Sequence, residues 1–138
     1  MGRAWTLHVV VALIVSVQPS AAAGGDSAAL VLKNDHVLRE LRRVDGCWRT
    51  VRFARADGSD ALVTRSDEFH ILPLDSERGW TVADYVAAAP PIRNVQDGVT
   101  TVRIMYEQRK PLPRPAPQKV IVIYTLGRGP YHHKTIRS

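Results

Sequence analysis

Three sets of side chains in this 138-residue sequence are of types that can do chemistry, and their spacing limits what each can do. The adjacent carboxylates Asp67 and Glu68 come first. Glycoside hydrolysis needs two carboxyl groups converging on one bond at roughly 5 to 9.5 Å, whereas neighbours on an extended strand point to opposite faces. The pair therefore reads as structural: Ser66 and Asp67 cap a turn, and Glu68 begins a strand, Glu68 to Leu72, that Pro73 stops. His132 and His133 diverge for the same reason. No cysteine or carboxylate stands beside them at a metal-ligand spacing, so they read as surface or packing histidines. No serine carries nucleophile-elbow glycines, and nothing around Cys47, the single cysteine, marks an activated thiolate. The expectation is no catalytic residue, no metal and no cofactor in this chain as it stands.

Binding chemistry is better represented. Trp48, Trp80, Tyr85, Tyr106, Tyr124 and Tyr131 carry flat apolar rings with a polar handle, the geometry that stacks on sugars. Core packing claims Tyr124 and Trp48, while Trp80 and Tyr85, flanked by polar loops, are the expected ligand-binding rings. A second candidate is the run Arg39, Arg42, Arg43, Arg49, Arg52 and Arg55. It forms either a solvated sheet face, the favoured reading, or a basic face for a protein or an acidic glycan. The formal net charge of +6 is moderate and suits solubility. Nucleic acid is not an expected partner, because helix-turn-helix, zinc-finger and aromatic-basic strand motifs are missing. A lone cysteine also excludes an internal disulfide, so stability must come from packing.

The elements that must position these residues are strands. Residues 1–23 stand apart: Arg3, the apolar run Val9 to Val17, Pro19 and Ala21-Ala22-Ala23 read as a secretory signal peptide, too short for a membrane anchor. Residues 24–138 then form one secreted or periplasmic domain, not inserted in a membrane after cleavage. Ala29 to Lys33, His36 to Arg43, Trp48 to Ala56, Ala61 to Thr64, Ile92 to Gln96 and Val99 to Gln108 read as short strands. They are separated by Asn34-Asp35, Asp45-Gly46, Asp57-Gly58 and Asp97-Gly98 turns. Trp48, Thr50, Arg52 and Ala54 share one face of their strand. Trp80 to Ala89 is the one segment readable as a short helix, with Thr81 as its N-cap. Prolines at every second position, 111 to 117, predict an extended, exposed connector. Val120 to Leu126 is apolar on both faces and reads as a central strand covered on two sides. Gly127-Arg128-Gly129-Pro130 turns the chain into a last strand, Tyr131 to Ile136. The class is all-β, an antiparallel β-sandwich.

The last of these segments carry a resemblance. Val122-Ile123-Tyr124-Thr125-Leu126, Gly129-Pro130-Tyr131 and Lys134-Thr135-Ile136 resemble a strand, turn, strand signature of the mutarotase-like supersandwich domains. These lie at the N-terminus of secreted glycoside hydrolases of the α-galactosidase (melibiase) type. Ala29 to Asn34 is similar to the opening strand of such domains, and Ser66 to Phe69 falls where an acidic strand start is found. In that family a separate barrel carries the two catalytic aspartates, and no residue here matches them. The resemblance thus implies a partial supersandwich in a carbohydrate context without hydrolysis by this polypeptide. A larger protein containing it would be a glycoside hydrolase. It also implies a catalytic domain as partner, and the last strand, an open sheet edge of the kind that pairs with other chains, is expected to dock on such a domain or to self-associate.

Overall fold

The computed structural model describes residues 28–74, 78–130 and 132–138. The expected signal peptide, residues 1–23, lies outside the described residues. The described chain forms eleven strands: β1 Ala29–Lys33, β2 Val37–Val44, β3 Cys47–Arg55, β4 Leu62–Ser66, β5 His70–Ile71, β6 Trp80–Thr81, β7 Tyr85–Ala87, β8 Ile92–Gln96, β9 Val99–Gln108, β10 Lys119–Leu126 and β11 His132–Arg137. One sheet runs β1-β2-β3-β4. The other runs β11-β10-β9-β7, with β8 also paired to β9, and β5 and β6 form a two-stranded patch. Every pairing is antiparallel. The protein is an antiparallel β-sandwich. Among the described residues no helix is long and apolar enough to cross a membrane.

Turn chemistry sets the register. Asp45-Gly46 and Asp97-Gly98 have positive φ at both residues, 51° and 76° in the first and 52° and 76° in the second. That is the two-residue hairpin turn whose twist matches the flanking strands and which Asp-Gly favours. Val44 thus pairs with Cys47, and Gln96 with Val99. Alternation then fills the core: Val102, Ile104 and Tyr106 of β9 and Val120, Val122, Tyr124 and Leu126 of β10 are all buried.

Four expectations are corrected. β10 is central in its sheet, but it is not covered on two sides: Ile121, Ile123 and Thr125, on the face opposite the core, are only half-buried. Its apolar outer residues reflect β-branched strand propensity rather than a second covering layer. Alternation along β3 holds only as far as Thr50. The pairing steps from Glu40↔Arg52 to Leu41↔Thr50, so Val51 is an extra residue, a β-bulge, and Arg52 changes face. Trp80 to Ala89 makes one short 3-10 turn, Val82–Asp84, rather than a longer helix. Thr81 does cap it in a reciprocal capping box with Asp84, but β7 immediately pairs with β9 and ends it. Finally, the proline connector folds back. Antiparallel pairing of β9 with β10 brings its ends together at Glu107↔Lys119. The Gln108 side chain then pins it, donating to the Pro117 carbonyl at 3.0 Å and accepting from the Leu112 amide at 3.1 Å. Leu112 and Ala116 pack on the core.

Candidate functional site

The bulge at Val51 sits beside the least expected side chain in the molecule. Glu68 begins no strand. The stretch Asp67–Phe69 leaves β4 and crosses into the sandwich, with Phe69 buried edge-on against Tyr85 and Tyr106, ring centres 5.3 Å away in each case. Glu68 follows it inside and is 1% exposed. Its Oε1 accepts from the Thr50 amide and the Thr50 hydroxyl, both at 2.6 Å. Its Oε2 takes the Tyr124 hydroxyl, the Lys134 ammonium at 3.0 Å and the Arg39 guanidinium at 3.4 Å. Arg39 Nε also donates to the Thr50 hydroxyl at 2.8 Å, and its guanidinium lies 4.8 Å above the Tyr124 ring centre.

Four strands therefore meet on one carboxylate: β2 through Arg39, β3 through Thr50, β10 through Tyr124 and β11 through Lys134. Tyr124 and Lys134 are register partners, which is why both reach it. Burial by itself would raise the Glu68 carboxyl. The hydrogen bonds from Thr50 and Tyr124 and the charges of Lys134 and Arg39 outweigh burial and hold it below the usual carboxylate range. The Tyr124 and Tyr106 hydroxyls are pushed far up, first by burial and then by the Glu68 charge. An ionised carboxylate with both oxygens occupied has no proton to give and no free lone pair facing solvent. Its chemistry is to tie the two sheets together. Asp67 points the other way, half-exposed, and pairs with Arg49.

His132 lies next to this hub, its ring edge-on to Phe53 at 5.9 Å. Both ring nitrogens are buried and find no hydrogen-bond partner among the described residues. Burial, and then the Arg39 charge, pull its pKa down to about 4. Cys47 is likewise a buried packing thiol. It donates to the Tyr85 and Val82 carbonyls at 2.9 and 3.2 Å, and burial raises its pKa against the opposing effect of Arg109.

The rings expected at the surface are not there. Trp80 is 7% exposed and Tyr85 is 0% exposed. Both rings belong to the core cluster, with Tyr85 edge-on to Phe69, while Thr81 and Asp84 between them cap the 3-10 turn. Neither offers a stacking face. The basic run does not form one face either. Arg39 enters the hub, Arg42 pairs with Glu40, Arg49 with Asp67, and Arg55 with Asp60, while Arg52 donates to the Gly58 carbonyl. The shallow depression lined by Glu40, Arg42, Val51, Arg52 and Val63 on the outer face of the first sheet contains one of these neutralised pairs. Among the described residues, no group of three or more His, Cys, Asp or Glu could hold a metal ion.

A polar cleft that sequence reading did not single out lies at one end of the sandwich, where three turns meet. It is lined by Lys33, Asn34, Asp35, Gly98, Thr100, Leu126, Gly127 and Arg128. Only the turn residues signalled it; nothing in the sequence places those turns together.

The fold and these sites define a β-sandwich whose buried carboxylate, Glu68, is spent on holding the two sheets together. Comparison with family models, curated proteins and solved structures finds no match to this chain.

Proposed function

We propose that the chain is an exported, non-catalytic β-sandwich module that works by carbohydrate recognition, of the kind found at the N-terminus of α-galactosidase-like glycoside hydrolases. The observation that carries this reading is the Tyr124–Lys134 register pair on Glu68. The residues on which the resemblance rests, a tyrosine before a Gly-Pro turn and a lysine after it, are those that clamp the buried carboxylate. They thereby acquire a physical reason to occur together in a sandwich of this type. With Glu68 sealed in that role and Asp67 directed away from it, function falls to the surface.

The test is affinity electrophoresis of the mature chain through gels cast with a panel of neutral and acidic polysaccharides, together with an assay for sugar released from α-galactosides. Retardation by at least one polysaccharide with no release is expected. Retardation by none would overturn the recognition reading. Release abolished by Asp67→Asn or Glu68→Gln would overturn the non-catalytic one.

A further inference from the structure

We infer that the cleft where the Asn34-Asp35, Asp97-Gly98 and Gly127-Arg128-Gly129 turns meet is a subsite for one acidic sugar residue, a uronic acid unit of a glycan. The inference rests on the carbohydrate reading above and makes it specific.

Size comes first. The cleft has a volume of about 170 Å3. Pockets for drug-sized ligands measure roughly 300–1,000 Å3, and a water takes about 30 Å3 of liquid volume, so this smaller space suits about one sugar ring. The second argument is charge. Lys33, Asp35 and Arg128 line the cleft, and no ion pair or side-chain hydrogen bond engages them among the described residues. Most of the Arg39 to Arg55 run is already paired with carboxylates. Two cations and one carboxylate leave a net positive site. A sugar carboxylate fits the fork of Arg128 and the ammonium of Lys33, while Asp35 and the Thr100 hydroxyl accept or donate to ring hydroxyls. A neutral sugar would gain no charge contact from the two cations, which would keep their water, and a simple inorganic anion would gain nothing from Asp35.

Preorganisation is the third. The Asn34 side chain holds the cleft from two sides. Its Nδ2 donates to the Gly127 carbonyl at 3.1 Å and to the Gly129 carbonyl at 2.9 Å. Its Oδ1 accepts from the amides of His36 and Val37, both at 2.9 Å. The turn after β1 is thus tied to the turn after β10 without using Lys33, Asp35 or Arg128. Gly98 completes the cleft. Its φ of +76° calls for glycine, and a Cβ there would come within 3.4 Å of Arg128 Nε, so the guanidinium lies directly over the Asp97-Gly98 turn.

The experiment is affinity electrophoresis of the mature chain in gels containing polygalacturonate, its fully methyl-esterified form, or a neutral galactan. The wild type is run beside Lys33→Ala/Arg128→Ala, Asp35→Asn, and Arg42→Ala on the outer sheet face. Retardation by polygalacturonate is expected to fall about tenfold on esterification, the equivalent of one lost charge contact. It should fall at least as much in Lys33→Ala/Arg128→Ala, fall less in Asp35→Asn, weaken with salt, and stay unchanged in Arg42→Ala. Far-UV circular dichroism and an unfolding curve establish that each variant is folded. Equal retardation by the acid and its ester, or no change in Lys33→Ala/Arg128→Ala, overturns this site. If a glycan still retards the chain in that case, the recognition reading survives. Retardation by no glycan at all removes both.

Discussion

Glu68 and Asp35 are carboxylates of the same sandwich with opposite circumstances. Glu68 is sealed between the sheets and engages an amide, two hydroxyl-bearing side chains and two cations. Asp35 lines an open cleft beside Lys33 and Arg128, which no carboxylate engages among the described residues. The contrast follows from solvation. A buried charge must find partners within the fold or cost several kcal/mol, so the fold consumes it. An exposed charge is satisfied by water, which a ligand can displace. The buried carboxylate Glu68 therefore holds the two sheets together, whereas exposed charges such as Lys33, Asp35 and Arg128 remain solvated.

The largest expected effect breaks the first half of that comparison. Glu68→Ala removes the counter-charge that Arg39 and Lys134 share and should cost about 3–5 kcal/mol in urea unfolding, the range for breaking a buried ion pair. A loss below about 1 kcal/mol would show that the hub is not holding the sheets. Tyr124→Phe keeps the ring in the core and deletes only the hydroxyl on Glu68. The expected loss is about 1.5–3 kcal/mol, as for a hydrogen bond to a charged group. In a double-mutant cycle the two changes should be strongly non-additive, because they remove one interaction from both ends.

Acid sharpens the comparison next. His132 in the folded protein takes a proton only near pH 4, whereas the unfolded chain takes one near 6.5. Between those values the unfolded state binds more protons, so stability falls as pH is lowered from 6.5 to 4, by about 2 kcal/mol once the half-buried ring is allowed some screening. The depressed Glu68 carboxyl adds a further loss. Its contribution is present above the unfolded carboxylate value near 4.3 and disappears as pH drops through its lower folded value. Urea midpoints measured every half unit from pH 7 to 3 should show both phases, and His132→Phe should remove the first alone. The smallest effect belongs to the cleft. Arg128→Ala should change stability by no more than about 0.5 kcal/mol, as exposed positions do. A loss of 2 kcal/mol or more would mean that Arg128 is structural, and the division between centre and turns would fail.

Local chemistry wrote much of this fold into the sequence. Asp-Gly pairs at 45–46 and 97–98 have few alternatives to a tight hairpin, because both residues take positive φ. Val99 to Gln108 read as a strand, which is β9, and Thr81 marked a cap. These are signals between residues a few positions apart. What only the tertiary structure decided depends on residues far apart in sequence. The Val51 bulge is a mismatch between two strands, so alternation within β3 could not reveal that Arg52 changes face. Glu68 looked like the start of a strand because an acidic residue after a turn usually stays in water. Its burial depends on Thr50, Tyr124 and Lys134 arriving from three strands, β3, β10 and β11. Trp80 and Tyr85 looked exposed because their neighbours are polar, yet Thr81 and Asp84 are spent on a cap while both rings join the core cluster, Tyr85 edge-on to Phe69. The cleft of Lys33, Asp35 and Arg128 is assembled from turns nearly a hundred residues apart, through the two hydrogen bonds of Asn34. Sequence spacing carries the propensity of a strand and the shape of a turn. Which charges end up sharing a dry interior, and which share an open cleft, is set by the packing of one sheet on the other, where desolvation decides the outcome.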